Sequence, residues 1–461
     1  MRHAAEVPPE AREEWRPLLE LLSGLDPVAA RRATARLATL RAPQARLPLE
    51  AALRHPDAGV RVGAASALAA LARTESRTAL ESTLGDPDWR VRAQAAYALS
   101  RLHDPRSTTL LAEALSQDRS ALVRNACALA LGRIGDPRAI PALERALDDE
   151  SDRVRREAVL ALERSHDPRA AAKVRRFLSD PARRVRIVAA VVLGLRRDRD
   201  GAEPLLALLR RADSWEKPAL LIALGRIGTP PCAEALARAA HDPMRWVRVC
   251  ALHGLAEMRS PLGRTVAVER LKDASWSVRG AAALALGRVG GPADVPALRE
   301  LLGDPNPWVR RGAIYSLGQL AAQETLPEVR AALDDPDPEV RLASIWALGQ
   351  LRDAASAPRL VQLLDVTRPE ASPAHPVLME GDGAVRLVSD ASSRLFDALV
   401  QAVGSLATGP TEELASRALV AAQRGLSDAE LDRPARLPTP LGSGEGTQTL
   451  RSLFEHPRST V

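Results

Sequence analysis

Apolar and small residues recur along the chain in one pattern that repeats about every 31 residues. The pattern is clearest in the stretch DPNPWVRRGAIYSLGQL, from Asp304 to Leu320. Its Val-Arg pair supplies an anchor arginine, and every step between anchors is 31 residues except one of 32. The anchors are Arg61, Arg92, Arg124, Arg155, Arg186, Arg248, Arg279, Arg310 and Arg341, with Lys217 in the remaining copy. Leucine follows each anchor seven positions later, at Leu68, Leu99, Leu131, Leu162, Leu193, Leu224, Leu255, Leu286, Leu317 and Leu348. Such fixed self-similarity predicts a repeat protein.

Each copy is predicted to form two helices, as the copy from Asp118 to Leu147 illustrates. Asp118 can accept hydrogen bonds from the unpaired N–H groups that open a helix, and in copies such as Asp304-Pro305 a proline follows at the expected first helical position. Gly135 favours the end of the first helix, because glycine adopts the left-handed conformation at little cost. The two apolar stripes fall at helical spacing and consist of Val123, Cys127, Ala130, Leu131 and Ile134, then Ile140, Leu143 and Leu147.

Helices this short cannot bury their apolar stripes as an isolated pair, whereas stacked copies can. Alanine or glycine dominates several columns of the repeat, for example at Ala158 and Gly132, and small side chains let helices approach closely. Aromatic residues make up only 3% of the chain, which indicates a core of alanine and leucine. We therefore predict an all-α fold, an α-α superhelix of about ten 31-residue helix pairs.

The motif D-P-x-x-x-V-R-x-x-A-x-x-A-L-G-x-L resembles the HEAT-like repeats of the phycobilisome-lyase type, a short relative of the longer HEAT and armadillo units. The resemblance covers roughly Asp57 to Leu364. It implies a HEAT-like α-solenoid of the armadillo type, in which one side of a helix of each pair lines a concave surface. It implies no particular activity, because we identify no set of residues in this chain that would perform the chemistry of the lyases.

Departures from the repeat divide the chain into five predicted segments. Residues 1–55 are expected to form N-terminal capping helices and a degenerate repeat, and residues 56–365 the repeat solenoid. Residues 366–383 contain three prolines and predict an insertion loop, and residues 384–425 predict C-terminal capping helices. Residues 426–461, rich in Pro, Gly, Ser and Thr, predict a disordered tail.

The sixth copy departs from the repeat at two polar columns. Arg211 stands where aspartate is expected, and Glu216-Lys217-Pro218 stands where the Val-Arg pair is expected. We expect a bend or a weakened stacking interface in this copy.

Composition narrows the class of protein further. The 46% apolar and 26% charged content is ordinary for a soluble protein. The first 15 residues, MRHAAEVPPEAREEW, lack the apolar region of a signal peptide, and no long apolar run occurs, so we expect a cytoplasmic protein with no membrane partner. The net charge of +6 permits an acidic partner without requiring one.

No pattern of residues in the sequence indicates a catalytic site. Cys127, Cys232 and Cys250 show no paired spacing, which argues against a disulfide framework or a zinc site. No nucleophile and base pattern and no histidine cluster stands out. The sequence therefore predicts a protein that is not an enzyme and that uses no metal and no cofactor.

Aspartate precedes the anchor arginine by six residues in every regular copy, as Asp304 precedes Arg310. Six residues turn a helix through about 240°, so the two side chains do not share a helix face. The arginine can instead reach the aspartate of a neighbouring copy with its fork of donors. We predict a structural ladder of ion pairs rather than a catalytic array.

Another set of columns varies from copy to copy and points away from the core. Positions one, two, five and nine after the anchor fall there, and the resemblance places them on the concave surface. The candidate partner-binding residues on this face are Arg101, Arg133, Arg164, Arg226, Arg288, His253, Arg311, Tyr315 and Trp346. The turn just before the anchor adds Trp215, Trp246, Trp276 and Trp308.

Tryptophan, tyrosine and arginine are enriched in binding hot spots, so these columns predict a scaffold or adaptor that binds a protein or peptide. The acidic part of that partner would follow the arginine row, and its apolar part would lie near Tyr315 and Trp346. The competing interpretation is that the aromatics only complete packing between copies and the arginines are solvated. A further alternative is nucleic-acid binding, with the arginine row on phosphates, although Leu195 and Glu257 interrupt that row.

Overall fold

The computed structural model describes residues 15–23, 26–40, 43–164 and 169–360. The predicted insertion loop, C-terminal capping helices and tail lie outside the described residues. Every regular element within these ranges is helical, and short 3₁₀ turns link many of the α-helices. The chain divides into two compact units, with the boundary between Arg211 and Ala212.

Longer helices alternate with shorter ones in the first unit, here named unit 1. Its longer helices are α2 (Pro27–Leu40), α4 (Ala58–Leu71), α6 (Trp89–Leu102), α8 (Ala121–Ile134), α10 (Asp152–Arg164) and α12 (Arg183–Leu195). Its shorter helices are α1 (Trp15–Ser23), α3 (Arg46–Ala52), α5 (Arg77–Thr83), α7 (Thr108–Gln117), α9 (Ile140–Ala146), α11 (Ala170–Arg175) and α13 (Ala202–Arg211). Within unit 1, successive longer helices pack against each other, and each also packs against the shorter helix that precedes it.

The second unit, named unit 2, has the same alternation. Its longer helices are α14 (Lys217–Ile227), α16 (Arg245–Glu257), α18 (Trp276–Val289), α20 (Pro307–Gln319) and α22 (Pro338–Gln350). Its shorter helices are α15 (Pro230–Ala239), α17 (Pro261–Arg270), α19 (Val295–Glu300) and α21 (Leu326–Ala331). The five longer helices follow one another as neighbours, so equivalent residues of successive copies lie side by side.

Small residues set the distance between the longer helices, as predicted. A methyl group built on Gly132 would lie 2.7 Å from the Cα atom of Ala161 in the next longer helix. One built on Gly225 would lie only 2.5 Å from the Cα atom of Gly254. The buried core is made mostly of alanine, leucine and valine.

The predicted ladder between neighbouring copies is confirmed. Arg279 donates from Nε and Nη2 to the two carboxylate oxygens of Asp304, at 2.8 and 3.1 Å. Its Nη1 atom donates to the carbonyl oxygens of Asp273 and Ala274 in its own copy, which fixes the guanidinium. The equivalent pairs are Arg61–Asp86, Arg92–Asp118, Arg124–Asp149, Arg155–Asp180, Lys217–Asp242, Arg248–Asp273 and Arg310–Asp335.

The role expected for these aspartates at helix starts is wrong. The Asp304 carboxylate accepts the backbone N–H of Asn306 in the turn, and Asn306 is the residue that caps α20 by accepting the N–H of Trp308. Pro307, rather than Pro305, occupies the first turn of the helix. Each helix therefore begins later than expected, which leaves the aspartate free to receive the arginine of the preceding copy.

The irregular sixth copy coincides with the boundary between the units. Arg211 donates to the carbonyl oxygen of Leu178 within unit 1, at 3.4 Å. Lys217, in the anchor position, makes one bond of 2.7 Å to Asp242, because an ammonium lacks the fork of a guanidinium. The departure from the repeat seen in the sequence thus marks where the chain divides.

Candidate functional site

The side of the longer helices that faces away from the core in unit 2 carries three parallel rows of variable residues. Seven residues bring a helix back to within about 20° of its starting direction, so Trp246 and Trp308, two before their anchors, share a face with the residues five after those anchors. Trp276 stands three before its anchor, and Trp215 lies in the turn before α14. We name this surface the unit 2 face. Its tryptophan row is Trp215, Trp246, Trp276 and Trp308; its middle row is Ile222, His253, Leu284, Tyr315 and Trp346; its end row is Arg226, Glu257, Arg288, Gln319 and Gln350.

The tryptophan row is exposed in four successive copies. Trp215 is 73% exposed, and the other three are between 43% and 52% exposed. The rings of Trp276 and Trp308 lie against each other, with centroids 6.5 Å apart and planes tilted by 44°. Singly exposed apolar residues are normal on protein surfaces, but a row of the largest apolar side chains is typical of an interaction site.

A shallow hollow of about 660 Å³ opens between the first turns of α16 and α18. Trp246 and Trp276 line it together with Met244 and Ser275. The guanidinium of Arg245 lies over the Trp246 ring, 4.8 Å from its centroid. The hollow can therefore accept an apolar group beside a negative one.

Arg311 belongs with the tryptophan row rather than with the other arginines. Its guanidinium lies 3.9 Å from the centroid of the Trp308 ring, a cation–π distance. It also reaches the carboxylate of Glu339 in the next longer helix, at 3.4 Å. These contacts hold the Trp308 side chain in one orientation.

Tyr315 and Trp346 are less available than the sequence suggested. Their rings pack against each other, with centroids 5.0 Å apart, and both are only half-exposed or less. Both also contact the buried cluster around Val340 and Leu348. The competing interpretation, that the aromatics complete the packing between copies, therefore fits Tyr315 and Trp346 better than it fits the exposed tryptophans.

A basic cluster occupies the middle of the unit 2 face. Arg288 donates to the carboxylate of Glu257 at 3.0 Å, so the residue that interrupts the arginine row is paired. Arg226 and His253 make no hydrogen bond or ion pair with any residue that the structure describes. Burial lowers the pKa of His253 and the charges of Arg288 and Arg226 lower it further, while Glu257 opposes them. These surroundings favour the neutral form of the imidazole.

In unit 1 the predicted arginines have partners of their own. Arg133 lies over the Tyr97 ring at 5.6 Å and donates to the Ser100 hydroxyl at 3.2 Å. Arg164 reaches Glu157 at 3.4 Å, and Arg101 is exposed. These residues are spread over the successive longer helices α6, α8 and α10.

Sequence reasoning missed Trp89, which opens α6 in unit 1 and is 43% exposed. It stands three residues before its anchor arginine, at the same offset as Trp276. That offset was the signal that could have found it. Trp89 differs from Trp276 in having no tryptophan in the adjacent copies, which makes it a matched control for the tryptophan row.

Within the described ranges, no three His, Cys, Asp or Glu side chains are grouped so that they could hold a metal ion. Burial raises the pKa of the Cys250 thiol to about 12 and raises that of Cys127 as well, which disfavours the nucleophilic thiolate at both. No helix in this part of the chain combines the length and the apolar character needed to cross a membrane.

Comparison with known families identifies the repeat. The family described as HEAT repeats matches eight overlapping stretches, residues 16–100, 48–131, 78–163, 108–194, 145–225, 172–249, 233–314 and 295–371. The chain belongs to the HEAT-repeat family. The predicted all-α superhelix of HEAT-like repeats is thereby confirmed.

Solved structures share the fold at low identity. Yeast importin-beta (Kap95p) has a TM-score of 0.58 at 15% identity, over 90% of this chain and 64% of that chain. A second structure of Kap95p has a TM-score of 0.52 at 16% identity, over 91% of this chain and 63% of that chain. Its description states that Kap95p binding induces the switch loops of RanGDP to adopt the GTP-bound conformation. The chain thus spans less than two thirds of the length of Kap95p in both structures.

The phycocyanin lyase complex of CpcE and CpcF from Nostoc sp. PCC7120 is also similar, with a TM-score of 0.34 at 22% identity, over 56% of this chain and 96% of that chain. The comparison with curated proteins found no match.

Proposed function

We propose that this HEAT-repeat protein is a non-enzymatic scaffold that binds a protein or peptide on the unit 2 face. The observation that carries the proposal is the row of four exposed tryptophans in successive copies. Kap95p, a chain of the same fold, acts on RanGDP according to its description, so this fold is capable of presenting a surface to another protein. The cytoplasmic location expected from the sequence is part of the same proposal.

A partner that covers the tryptophan row would be stabilised by the hydrophobic effect, because the row leaves apolar area exposed to water. A tryptophan presents about 150–250 Å² of surface when fully exposed, so a half-exposed ring leaves on the order of 100 Å² uncovered. At about 25 cal/mol per Å², covering one such ring stabilises a complex by about 2 kcal/mol. Three or four rings on one surface therefore contribute about 6–8 kcal/mol, which is of the same order as the entropy cost of association, so polar contacts around the row must add to them.

Charge favours an acidic segment in the partner. Arg245 and Arg311 flank the tryptophan rings, and Arg226 lies along the same face without a partner among the described residues. An extended segment that carries apolar groups and carboxylates would satisfy the hollow and these arginines together. The unit 1 arginines Arg101, Arg133 and Arg164 are secondary candidates, since two of the three already have partners within unit 1.

Nucleic-acid binding is the weaker alternative for this face. The anchor arginines are committed to aspartates, and Glu257 places a negative charge within the end row, so few cations remain for phosphates. A gel shift on random duplex DNA at low salt separates the two functions. A shift that disappears steeply with added salt would replace the scaffold proposal with nucleic-acid binding.

The proposal predicts that the double variant Trp246→Ala/Trp276→Ala loses its partner in affinity capture followed by mass spectrometry. Both side chains are exposed, so the helical circular dichroism and the melting temperature should stay close to those of the wild type. The matched control is Trp89→Ala, an equally exposed tryptophan at the start of a longer helix, and it should retain the partner. A partner held equally by all three proteins would exclude the tryptophan row as the binding site.

A further inference from the structure

The exposed tryptophans of unit 2 present apolar rings together with unused hydrogen-bond donors. Trp246, Trp276 and Trp308 stand in the first turns of the neighbouring helices α16, α18 and α20, and each is roughly half exposed. Their indole N–H groups donate to no residue that the structure describes. A ligand that satisfies the row must therefore combine an apolar surface with accessible carbonyl oxygens.

The architecture disfavours three other kinds of peptide ligand. Every regular element among the described residues is helical, so a β-strand has no sheet edge with which to pair. The hollow between Trp246 and Trp276 is shallow, whereas an amphipathic helix about 10 Å wide needs a continuous apolar groove. A basic segment is disfavoured as well, because guanidinium groups already lie over the rings of Trp246 and Trp308.

A polyproline II helix matches the spacing of the row. It has three residues per turn and rises about 3.1 Å per residue, so equivalent side chains recur about every 9 Å. Packed helices lie about 8–10 Å apart, and α16, α18 and α20 pack as successive neighbours, so one turn of ligand corresponds to one copy. Its backbone makes no internal hydrogen bonds, which leaves carbonyl oxygens available to the indole N–H groups.

Arg245 indicates the charge of the ligand. Its guanidinium is exposed, makes no hydrogen bond or ion pair with a described residue, and lies beside the hollow. Arg311, by contrast, already reaches the carboxylate of Glu339 at 3.4 Å. An acidic residue next to a proline would place its carboxylate on Arg245 while the proline ring enters the hollow.

We propose that the tryptophan row binds a proline-rich, acidic segment of the partner in the polyproline II conformation. This inference rests on the proposed function and names the class of ligand within it. One turn of the segment lies in the hollow between Trp246 and Trp276, and the next packs against the rings of Trp276 and Trp308. A carboxylate of the segment pairs with Arg245.

Three synthetic nonapeptides test the class of ligand against the full chain. The first consists of three Glu-Pro-Pro triplets, the second replaces every proline with alanine, and the third replaces every glutamate with lysine. The chain has seven tryptophans, so each indole N–H signal in an NMR titration can be assigned by its absence in one Trp→Phe variant. We expect the first peptide to shift the signals of Trp246, Trp276 and Trp308 and to leave that of Trp89 unmoved. The other two peptides should bind at least about tenfold more weakly.

Two variants and one control separate the roles of the residues. Trp276→Ala should weaken binding of the Glu-Pro-Pro peptide by at least about tenfold, because this ring borders both the hollow and Trp308. Arg245→Gln should reduce the preference for the glutamate peptide over the lysine peptide. The control Trp89→Ala should behave as the wild type. Unmoved indole signals of the row, or equal affinity for the alanine peptide, would overturn the inference.

The chain's own prolines are the competing occupant of the row. Pro369, Pro373 and Pro376 lie outside the described residues, in a segment that also contains Glu370. A variant with alanine at these three positions should bind the Glu-Pro-Pro peptide as the wild type does. If only this variant binds the peptide, the chain itself occupies the row and the assignment to a partner is wrong.

Failure here is distinguishable from failure of the proposed function. If Trp246→Ala/Trp276→Ala loses the captured partner while the Glu-Pro-Pro peptide shifts no indole signal, the scaffold proposal stands and the proline-rich ligand is excluded. If the peptide binds as expected while that double variant keeps the partner, the peptide site stands and the captured partner uses another surface.

Discussion

Replacing Gly225 with alanine is expected to destabilise unit 2 by about 2 kcal/mol, although alanine is the better helix former by about 1 kcal/mol. The added methyl group would lie 2.5 Å from the Cα atom of Gly254 and 3.0 Å from its carbonyl oxygen. Both are backbone atoms, so relief requires α14 and α16 to move apart. That movement would loosen the packing of the alanine and leucine core between them. Urea unfolding followed by tryptophan fluorescence measures the loss, since most of the tryptophans belong to unit 2.

The matched control is Gly280→Ala, also in the middle of a longer helix of unit 2. Its methyl group would meet nothing closer than 3.6 Å, which is ordinary van der Waals contact. The gain in helix propensity should therefore dominate and stabilise the protein by up to about 1 kcal/mol. Effects of the same sign and size at both glycines would contradict the account of close helix approach.

The second large effect is expected for Arg279→Leu, which removes one ion pair of the ladder. This substitution should lower the free energy of unfolding by about 2 kcal/mol at pH 7. The substitution leaves the buried Asp304 carboxylate without its two bonds from the guanidinium. It also leaves the carbonyl oxygens of Asp273 and Ala274 without their donor. An uncompensated buried charge costs more than the pair contributes when intact, so the effect exceeds that of a surface ion pair.

The ladder also predicts how this loss depends on pH. Burial alone would raise the pKa of Asp304, but the hydrogen bonds from Arg279 and from the Asn306 amide outweigh it and hold the pKa below 3.8. A lowered folded-state pKa gives stability that is present above pH 3.8 and is lost as pH falls through the folded value. The difference in unfolding free energy between wild type and Arg279→Leu should therefore shrink as the pH falls below 3.8. The control Arg238→Leu removes an exposed pair with Glu234 and should change stability little at either pH. A constant difference from pH 7 to pH 3 would contradict the ion-pair origin of the effect.

The ladder was predictable because it depends only on spacing. Arginine and aspartate recur in fixed columns, and stacked copies bring equal columns together. The start of each helix was not predictable in the same way. Asp304 and Asn306 are both good capping residues, and only the geometry of the turn decides that the second one caps. Ion pairs such as Arg264–Asp294 and Arg330–Asp353 were also missed, because arginine occupies their columns in only some of the copies.

The sequence predicted which side of each helix the candidate binding residues lie on, but not which residues they contact. Helical period places Trp308, Arg311 and Tyr315 on one side of α20, and that much follows from the sequence. The period does not reveal that Arg311 lies over Trp308 or that Tyr315 packs against Trp346. Such choices depend on the space left by the next copy, which no single repeat specifies. The exposed tryptophans therefore replace Tyr315 and Trp346 as the main candidates for binding.

Hydroxyl-radical footprinting of the protein with and without its captured partner tests the central proposal most directly. Oxidation of Trp246, Trp276 and Trp308 reports on the tryptophan row, and oxidation of Trp89 reports on an equally placed ring in unit 1. The account predicts that the partner protects the first three tryptophans several-fold and leaves Trp89 unchanged. Full oxidation of the tryptophan row in the complex, with protection confined to the shorter helices α15, α17 and α19, would contradict it.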